Sequence, residues 1–172
     1  KYGITSGMTL DLSLNTDFSQ VEADRPQVNL TRFSLFFPER REFFLENASL
    51  FEFGDQPSGG FGGNRSSRNF TLFHSRRIGL SPARAPLPIL GGGRISGTAG
   101  PLRIGLLNMQ PSRDSAVAAE NFSVARVRGG LHPNLTAGAI VVNRTTTTGV
   151  KADNRSYGID ADFTALNDYL LV

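Results

Sequence analysis

The feature that most constrains the fold is a strict two-residue alternation of apolar and polar side chains near the amino end, in residues 8–18. One face of this segment carries Met8, Leu10, Leu12, Leu14, Thr16 and Phe18, and the other carries Thr, Asp, Ser and Asn. Successive side chains of a β-strand point to opposite faces, whereas a helix would spread these residues around its circumference. The segment is therefore predicted to be a strand with one apolar and one polar face.

Further strands follow with short connections. Residues 156–165 repeat the sharp alternation, and weaker strand patterns lie at 21–32, 69–77, 87–99, 102–110, 121–128 and 135–144, with another strand opening at 169. Gly100-Pro101 and residues 129–134 have the composition of tight turns. Strands joined by such turns are antiparallel neighbours. The predicted fold class is all-β, an antiparallel up-and-down meander.

Composition excludes several classes of protein. No apolar run in the 172 residues approaches the ~20 residues of a membrane-spanning helix, which excludes a helical membrane protein. The absence of cysteine removes disulfides and thiolate metal sites. The net charge is only +3 and the basic residues form no stripe with interleaved aromatics, so no nucleic-acid partner is expected. The predominance of arginine over lysine fits lumen walls or lipopolysaccharide contacts, and a GC-rich genome explains it equally well.

Two architectures fit an alternating meander, a soluble β-sandwich and a transmembrane β-barrel. Three features favour the barrel. Carboxylates on the polar faces suit a hydrated lumen wall, namely Asp11, Asp17, Asp160 and Asp162. Aromatic residues near the strand ends suit an interfacial girdle, namely Phe18, Tyr157, Phe163 and Tyr169. Closure of the sheet into a barrel would also remove the unpaired strand edges of a glycine-rich meander.

A Phe-rich segment interrupts the strands, because seven of the 13 phenylalanines fall within residues 32–54. Within it, residues 38–46 are predicted to form a short helix, with Pro38 at its first position and Asn47 as the residue that terminates it. Residues 54–68 follow as a loop of Gly, Ser and Asn. So many phenylalanines cannot all face water, so residues 32–68 are predicted to form a plug-like unit in the lumen or across the periplasmic mouth. It would act either as a gate or as a purely structural stopper.

The candidate lumen and plug residues are Phe36, Phe37, Glu39, Arg40, Arg41, Glu42, Phe43, Phe44, Arg76 and Arg77. Arg40 and Arg41 are expected to pair with carboxylates of the barrel wall. Arg126 and Arg128, which share a strand face with Phe122, are expected to snorkel toward lipid headgroups.

No catalytic residue, metal or cofactor is predicted. The acidic set Asp11, Asp17, Glu22 and Asp24 lacks the ordered spacing of a calcium loop, so salt bridges to Arg76, Arg77 or Arg94 are expected instead. His74 and Ser75 would point to opposite faces of the predicted strand, which disfavours a hydrolase. Gly91-Gly92-Gly93 is expected to mark a bulge or a close backbone approach.

Several motifs resemble a family of large bacterial outer-membrane proteins. They are residues 12–24, 28–33, 36–46 (Phe-Phe-Pro-Glu-Arg-Arg-Glu-Phe-Phe-Leu-Glu), 73–79, 105–110 and 119–127. Members of that family typically carry a family-9-type carbohydrate-binding module ahead of a barrel that is itself a domain of unknown function. The resemblance implies a barrel in the outer membrane of a gram-negative bacterium. The resemblance assigns neither that module nor most of the later strands to residues 1–172, so carbohydrate binding is not transferred to any of these residues.

Three functions are carried forward, none of them enzymatic. The first is a barrel for solute passage or capture across the outer membrane, linked to saccharides through the module that the resembling family carries. The second is a structural barrel that anchors a surface domain or an envelope assembly. The third is a soluble β-sandwich binding module. Because both ends of the chain lie in strand-like runs, residues 1–172 are expected to be the amino-terminal part of a barrel. Its expected partners are the remaining strands, the lipid bilayer, lipopolysaccharide and an envelope assembly partner.

Overall fold

A computed structural model of the chain describes residues 1–16, 38–53, 71–81, 86–113, 119–147 and 153–163. These residues form one sheet of seven strands, each antiparallel to the next, in the order in which they occur along the chain. The strands are β1 (Tyr2–Thr5), β2 (Met8–Thr16), β3 (Ile89–Ala99), β4 (Leu102–Pro111), β5 (Glu120–His132), β6 (Leu135–Thr146) and β7 (Asn154–Phe163). The predicted all-β meander is confirmed. Within the described residues the sheet is open, with β1 and β7 at its two edges.

The connections differ in length between the two ends of the sheet. At one end, here called the short-turn end, only two residues separate each pair of strands: Ser6-Gly7, Gly100-Pro101 and Pro133-Asn134. Gly100 has a φ of +58°, the left-handed conformation that glycine adopts without strain. At the opposite, long-connection end the chain passes through residues 17–88, 112–119 and 147–153. The turn predicted at 129–134 is shorter than expected because Gly129 and Gly130 still pair with β6.

The non-strand elements are short. A single-turn helix, α1, spans Glu42–Leu45, and 3₁₀ turns occupy Ala48–Phe51 and Ser75–Arg77. No helix in the described part of the chain is long and apolar enough to cross a membrane. The predicted strand at 69–77 is wrong over its described part, since Leu72 and Phe73 are sequence neighbours that both pack against the hydrophobic core. That arrangement is incompatible with strand alternation.

The predicted helix at 38–46 is also too long. Arg41, immediately before α1, is extended with φ −77° and ψ 122°. The carboxylate of Glu39 accepts hydrogen bonds from the backbone N–H groups of Arg40 and Arg41, which holds this stretch outside the helix. Asn47 follows the helix in a left-handed conformation with φ 56°. It separates α1 from the 3₁₀ turn.

Residues 38–53 and 71–81, together called the cover, pack against one face of the sheet. That face is called the covered face; one cross-strand row of it runs through Asp11, Arg94, Leu107, Val124 and Val142. Buried side chains from both layers form the hydrophobic core: Phe44, Phe51 and Ile78 from the cover, and Ile89, Leu107, Met109, Phe122, Val124 and Ile140 from the strands. The buried apolar residues of β3 to β6 therefore lie under the cover.

The opposite face, called the exposed face, contains the apolar residues of the two sharply alternating strands. Leu14 on β2 is 80% exposed and Ile159 on β7 is 85% exposed. Asp11 and Ser13, the polar neighbours on β2, are buried on the covered face. This distribution is the reverse of that in a water-soluble sheet, in which the apolar face of an alternating strand packs against the core.

The triple glycine lies within β3, as predicted, at a register shift between Ile89 and Gly91. A side chain at Gly92 would collide with Met109 on β4. The close approach of the two strands at this point therefore requires glycine.

Candidate functional site

Arg94, on β3, joins the sheet to the cover. Its side chain is 2% exposed, and one terminal nitrogen lies 2.6 Å from Oδ2 of Asp11 and 2.9 Å from Oε2 of Glu46. The other terminal nitrogen donates to the backbone carbonyls of Phe43, at 2.5 Å, and Glu46. These carbonyls lie at the carboxyl end of α1 or within it, where a cation is favoured. One buried guanidinium thus holds a strand carboxylate and the end of the cover helix.

A second buried arginine connects the two halves of the cover. Arg41 is 3% exposed and forms a two-point ion pair with Glu39, with nitrogen–oxygen distances of 2.8 and 2.7 Å. Its terminal nitrogens also donate to the carbonyls of Ile78, at 2.6 Å, and Ser75, at 2.7 Å. The guanidinium carbon lies 4.2 Å from the centre of the Phe44 ring. The cover therefore behaves as one unit in which residues 38–53 and 71–81 share a charged centre.

The pKa of Glu39 reflects this environment. Burial by itself would raise the pKa of the carboxyl group, but the hydrogen bonds and positive charge of Arg41 outweigh burial. With a further hydrogen bond from the Ser75 hydroxyl at 2.7 Å, they lower the pKa to about 2. Glu39 is therefore ionised at neutral pH, and its charge is matched by Arg41.

The cover makes further polar contacts with the sheet around α1. Asn47 donates a side-chain hydrogen bond to the hydroxyl of Ser96 at 3.2 Å. The Glu46 carboxylate is also paired with Lys1, and this pairing, assisted by Arg94, lowers the pKa of Glu46 below its ordinary value. The contacts place the end of α1 above β2 and β3.

A third buried arginine organises the other side of the covered face. Arg126 on β5 is 2% exposed and holds the carboxylate of Asp160 on β7 through two bonds of 2.6 and 2.5 Å. Its guanidinium carbon also lies 5.4 Å from the ring centre of Phe53 in the cover. Phe53 packs so closely over Gly158 that a side chain at this glycine would collide with the ring. Two residues along β5, Arg128 pairs with the exposed Asp162.

The structure places most of the predicted plug residues in the cover. Phe43, Phe44, Glu39, Arg41 and Arg76 pack against the core or form buried contacts, whereas Arg40, Glu42 and Arg77 are exposed. Phe36, Phe37 and Asp17 lie outside the described residues, as do Glu22 and Asp24. Of the four wall carboxylates, Asp11 is buried, Asp160 is half-buried and Asp162 is exposed.

The pairings differ in part from the sequence prediction. The expected ion pair between Asp11 and Arg94 forms. Within the described residues Arg41 pairs with Glu39 of its own segment, because an extended backbone brings the side chains of residues two apart to the same side. Arg126 and Arg128 do not reach toward headgroups. They lie on the covered face, where they reach across β6 to pair with Asp160 and Asp162 of β7.

Among the residues described, the covered face is organised by buried ion pairs and aromatic contacts. Those residues include no cluster of three or more His, Cys, Asp or Glu side chains able to hold a metal ion. Ser75 begins a 3₁₀ turn, so the strand geometry used to separate it from His74 was wrong; its hydroxyl is directed to Glu39. The chemistry that this arrangement supports is the holding of one layer against another by buried charges and aromatic packing.

Comparison with protein families gives one match. Residues 1–109 match the family described as Domain of unknown function (DUF5916). The chain belongs to this family. The matched part of the DUF5916 domain contains β1 to β3, most of β4 and the whole cover, including Asp11, Arg41 and Arg94. No curated protein and no solved structure matched the chain.

The DUF5916 match confirms the predicted membership in a family of unknown function. Four of the predicted motifs (residues 12–24, 28–33, 36–46 and 73–79) lie wholly inside the matched region, whereas residues 119–127 lie beyond it. The Arg94 contacts therefore belong to the family domain, and the Arg126–Asp160 pair lies in the part of the chain that follows. The outer-membrane barrel and the preceding sugar-binding module stay predictions.

Proposed function

We propose that this chain contributes strands to the wall of an outer-membrane β-barrel. The cover packs against the lumen side of this wall and closes the lumen. The observation that carries the proposal is the reversed exposure of β2 and β7. Leu12, Leu14, Tyr157, Ile159 and Phe163 are 67–85% exposed, while the positions between them lie on the covered face, where Asp11 and Ser13 are buried. Hydration of large apolar side chains is unfavourable by about 25 cal/mol per Å² of apolar surface. Contact of these side chains with the hydrocarbon core of a bilayer would remove this penalty.

The position of the cover supports a lumen on the covered face of the sheet. It packs over the face that carries Asp11, Arg94, Arg126 and Asp160, which is the face that would line the interior of a barrel. The connection from β2 to β3 supplies the whole cover. A long connection that folds inward from a barrel rim produces a plug attached to its own wall.

A soluble β-sandwich accounts less well for the same arrangement. A sandwich places its second sheet over the apolar face of an alternating strand. The cover lies over the polar face of β2 and β7, on the opposite side of the sheet from Leu14 and Ile159. A sandwich would thus require a further layer over the exposed face.

Of the two barrel functions, the closed structural barrel has the stronger support. The cover shares a hydrophobic core with β3 to β6, and the ionic contacts of Arg94 and Arg126 are buried beside that core. A plug held in this way is part of the folded structure, which suits a barrel that anchors an envelope assembly. Solute passage is the second candidate, and it requires the cover to move away from β2 and β3.

Reconstitution tests the proposal in two steps. Protein refolded with phospholipid vesicles should resist extraction by carbonate and should protect its strands from external protease. In planar bilayers it should then give few or no conductance steps. Stable monomeric solubility in detergent-free buffer would overturn the membrane assignment. Large, steady channels in the wild type would favour solute passage over a closed barrel.

A further inference from the structure

The exposed face carries a polar belt beside its apolar surface. One cross-strand row of this face contains Asn108 on β4, Ser123 on β5, Asn143 on β6 and Arg155 on β7. The adjacent row toward the short-turn end contains Leu106, Ala125, Val141 and Tyr157 at the same four strands. The change from apolar to polar side chains therefore occurs within a single step along four neighbouring strands.

The amides of the belt are arranged by their own hydrogen bonds. The Asn108 side-chain nitrogen donates to Ser123 at 2.7 Å and to Asn121 at 3.0 Å, and the Asn121 nitrogen donates to Gln110 at 3.1 Å. On β6, Asn143 donates to Thr145 at 2.9 Å. These bonds fix the amide groups on the sheet surface, while Asn108 stays exposed to an approaching ligand.

Arg155 adds a positive charge to the belt. Its Nε donates to the side-chain oxygen of Asn143 at 3.2 Å. Among the described residues its two terminal nitrogens have no partner, and the side chain is exposed. A guanidinium oriented through Nε presents its terminal nitrogens as a fork, the geometry that binds phosphate through two hydrogen bonds. Asp153 lies two positions before Arg155 in the chain, and its carboxylate accepts a hydrogen bond from the backbone N–H of Thr146 at 3.2 Å.

The belt also lies at a defined end of the sheet. It adjoins the long-connection end, where β4 and β6 finish and β5 and β7 begin. In outer-membrane barrels the long connections face the outside of the cell and the short turns face the periplasm. An apolar surface that meets amides and an arginine at that level matches an amphiphile with acyl chains, sugar hydroxyls and phosphate.

We propose that the belt formed by Asn108, Asn121, Ser123, Asn143 and Arg155 binds the phosphorylated saccharide headgroup of an outer-leaflet glycolipid, lipopolysaccharide. Its acyl chains would lie on Leu106, Val141 and Tyr157, and a phosphate would bind Arg155. This proposal rests on the membrane assignment made above. Two copies of the chain could also pair through such a belt, so the oligomeric state is a separate outcome of the test.

The test uses protein reconstituted in lipid nanodiscs that contain phosphatidylethanolamine together with rough lipopolysaccharide, either intact or enzymatically dephosphorylated. Mass spectrometry of the released particles measures the glycolipid retained per protein. Wild-type protein should retain intact lipopolysaccharide over phosphatidylethanolamine. Dephosphorylation and Arg155→Gln should each weaken retention on the order of tenfold, the effect of losing a charge-assisted hydrogen-bonded pair. Asn143→Leu should weaken it as well, because it removes the group that orients Arg155.

Arg103→Gln is the matched control, since Arg103 is an exposed arginine at the short-turn end and on the covered face. It should leave retention unchanged. Equal retention of the two lipids by inserted wild-type protein would overturn the glycolipid site and leave the barrel proposal intact. The glycolipid site would also be overturned if the wild type showed no lipid preference and formed dimers that dissociate on Arg155→Gln. That result would assign the belt to a contact between two copies of the chain. Failure of the wild type to insert would overturn both proposals.

Discussion

Arg94 on β3 and Asp11 on β2 form a directly opposed cross-strand pair in which both side chains are buried and their charged atoms lie 2.6 Å apart. The same guanidinium reaches the carboxylate of Glu46 and two backbone carbonyls at the end of α1. A buried ion pair contributes little compared with well-packed apolar residues, but removal of one partner leaves the other charge uncompensated. Arg94 is therefore the residue on which attachment of the cover to β2 and β3 depends most.

Arg94→Gln should destabilise the protein by about 3–5 kcal/mol, because it leaves the buried Asp11 carboxylate without its positive partner and removes the donors to the carbonyls of Phe43 and Glu46. Asp11→Asn should lose only about 1–2 kcal/mol, since Arg94 keeps Glu46 and both carbonyls. Urea unfolding in detergent micelles, followed by far-ultraviolet circular dichroism, measures both. Equal losses in the two variants would contradict the central role assigned to Arg94.

Two arginines on β5 offer an internally controlled comparison. Arg126 is 2% exposed and binds Asp160 through two bonds beneath Phe53, whereas Arg128 and its partner Asp162 are 30% and 60% exposed. Arg126→Gln should lower the free energy of unfolding by about 2–3 kcal/mol, and Arg128→Gln by less than about 1 kcal/mol, because solvent screens an exposed pair. The same unfolding measurement separates them. A larger loss for Arg128→Gln would contradict the assignment of Arg126 to the interior.

Sequence periodicity predicted the strands better than their surroundings. The two sharply alternating segments were expected at 8–18 and 156–165 and are observed at Met8–Thr16 and Asn154–Phe163. Alternation depends on the backbone alone, so it can be read from the sequence without knowledge of neighbouring layers. On β5 the signal was ambiguous, since Phe122 and Val124 share the covered face with Arg126. On β5 that face is apolar where Phe122 and Val124 join the hydrophobic core, and ionic where Arg126 pairs with Asp160 of β7.

The cover itself was only partly predictable. The clustering of phenylalanines indicated a packed unit, and Phe43, Phe44, Phe51 and Phe53 do contact the core. The partners of the buried arginines were harder to predict, because they depend on contacts across more than 30 positions of sequence, such as Arg41 with Ile78 and Arg94 with Phe43. Backbone carbonyls, which leave no signature in a sequence, supply much of this binding.

The low pKa of Glu39 predicts an acid sensitivity of the cover. The pKa is lowered from the ordinary 4.5 to about 2, so the Glu39–Arg41 pair stabilises the folded state fully above pH 4.5 and loses this contribution as the pH falls toward 2. The loss is on the order of 2 kcal/mol after allowance for solvent screening. Hydrogen–deuterium exchange of residues 38–53, corrected for the intrinsic pH dependence, should show protection decreasing across this window.

Two variants of the cover test that attribution. Glu39→Gln should reduce protection at neutral pH and flatten its dependence on acid, because the titrating group is gone. Glu42→Gln is the matched control on an exposed carboxylate of α1 and should behave like the wild type. Some acid dependence should persist in Glu39→Gln, since the pKa of Glu46 is also lowered and its pairing with Lys1 and Arg94 weakens in the same direction. An unchanged acid profile in Glu39→Gln would assign the effect elsewhere.

Close packing of the cover on β7 predicts a face-dependent response to added volume. Gly158→Leu should displace Phe53 and Leu72 and destabilise the protein by about 1–3 kcal/mol, the usual effect of overpacking. Ala161→Leu, three residues away on the exposed face, should have little effect. Limited proteolysis at the cover measures the difference, with faster cleavage expected only for Gly158→Leu. Equal cleavage of the two variants would mean that the cover does not rest on Gly158.

The membrane assignment predicts an unusual effect of charge on an exposed residue. Ile159 is 85% exposed and lies in the middle of the apolar surface of β7, so Ile159→Arg in a soluble protein would be nearly neutral. In a bilayer the same change should destabilise the inserted protein by about 2–4 kcal/mol. Leu131→Arg, at a residue 71% exposed beside the β5–β6 turn, should lose only about 0–1 kcal/mol, because arginine there reaches the headgroups. Urea titration of vesicle-inserted protein compares the two variants, and a neutral Ile159→Arg would place this face in water.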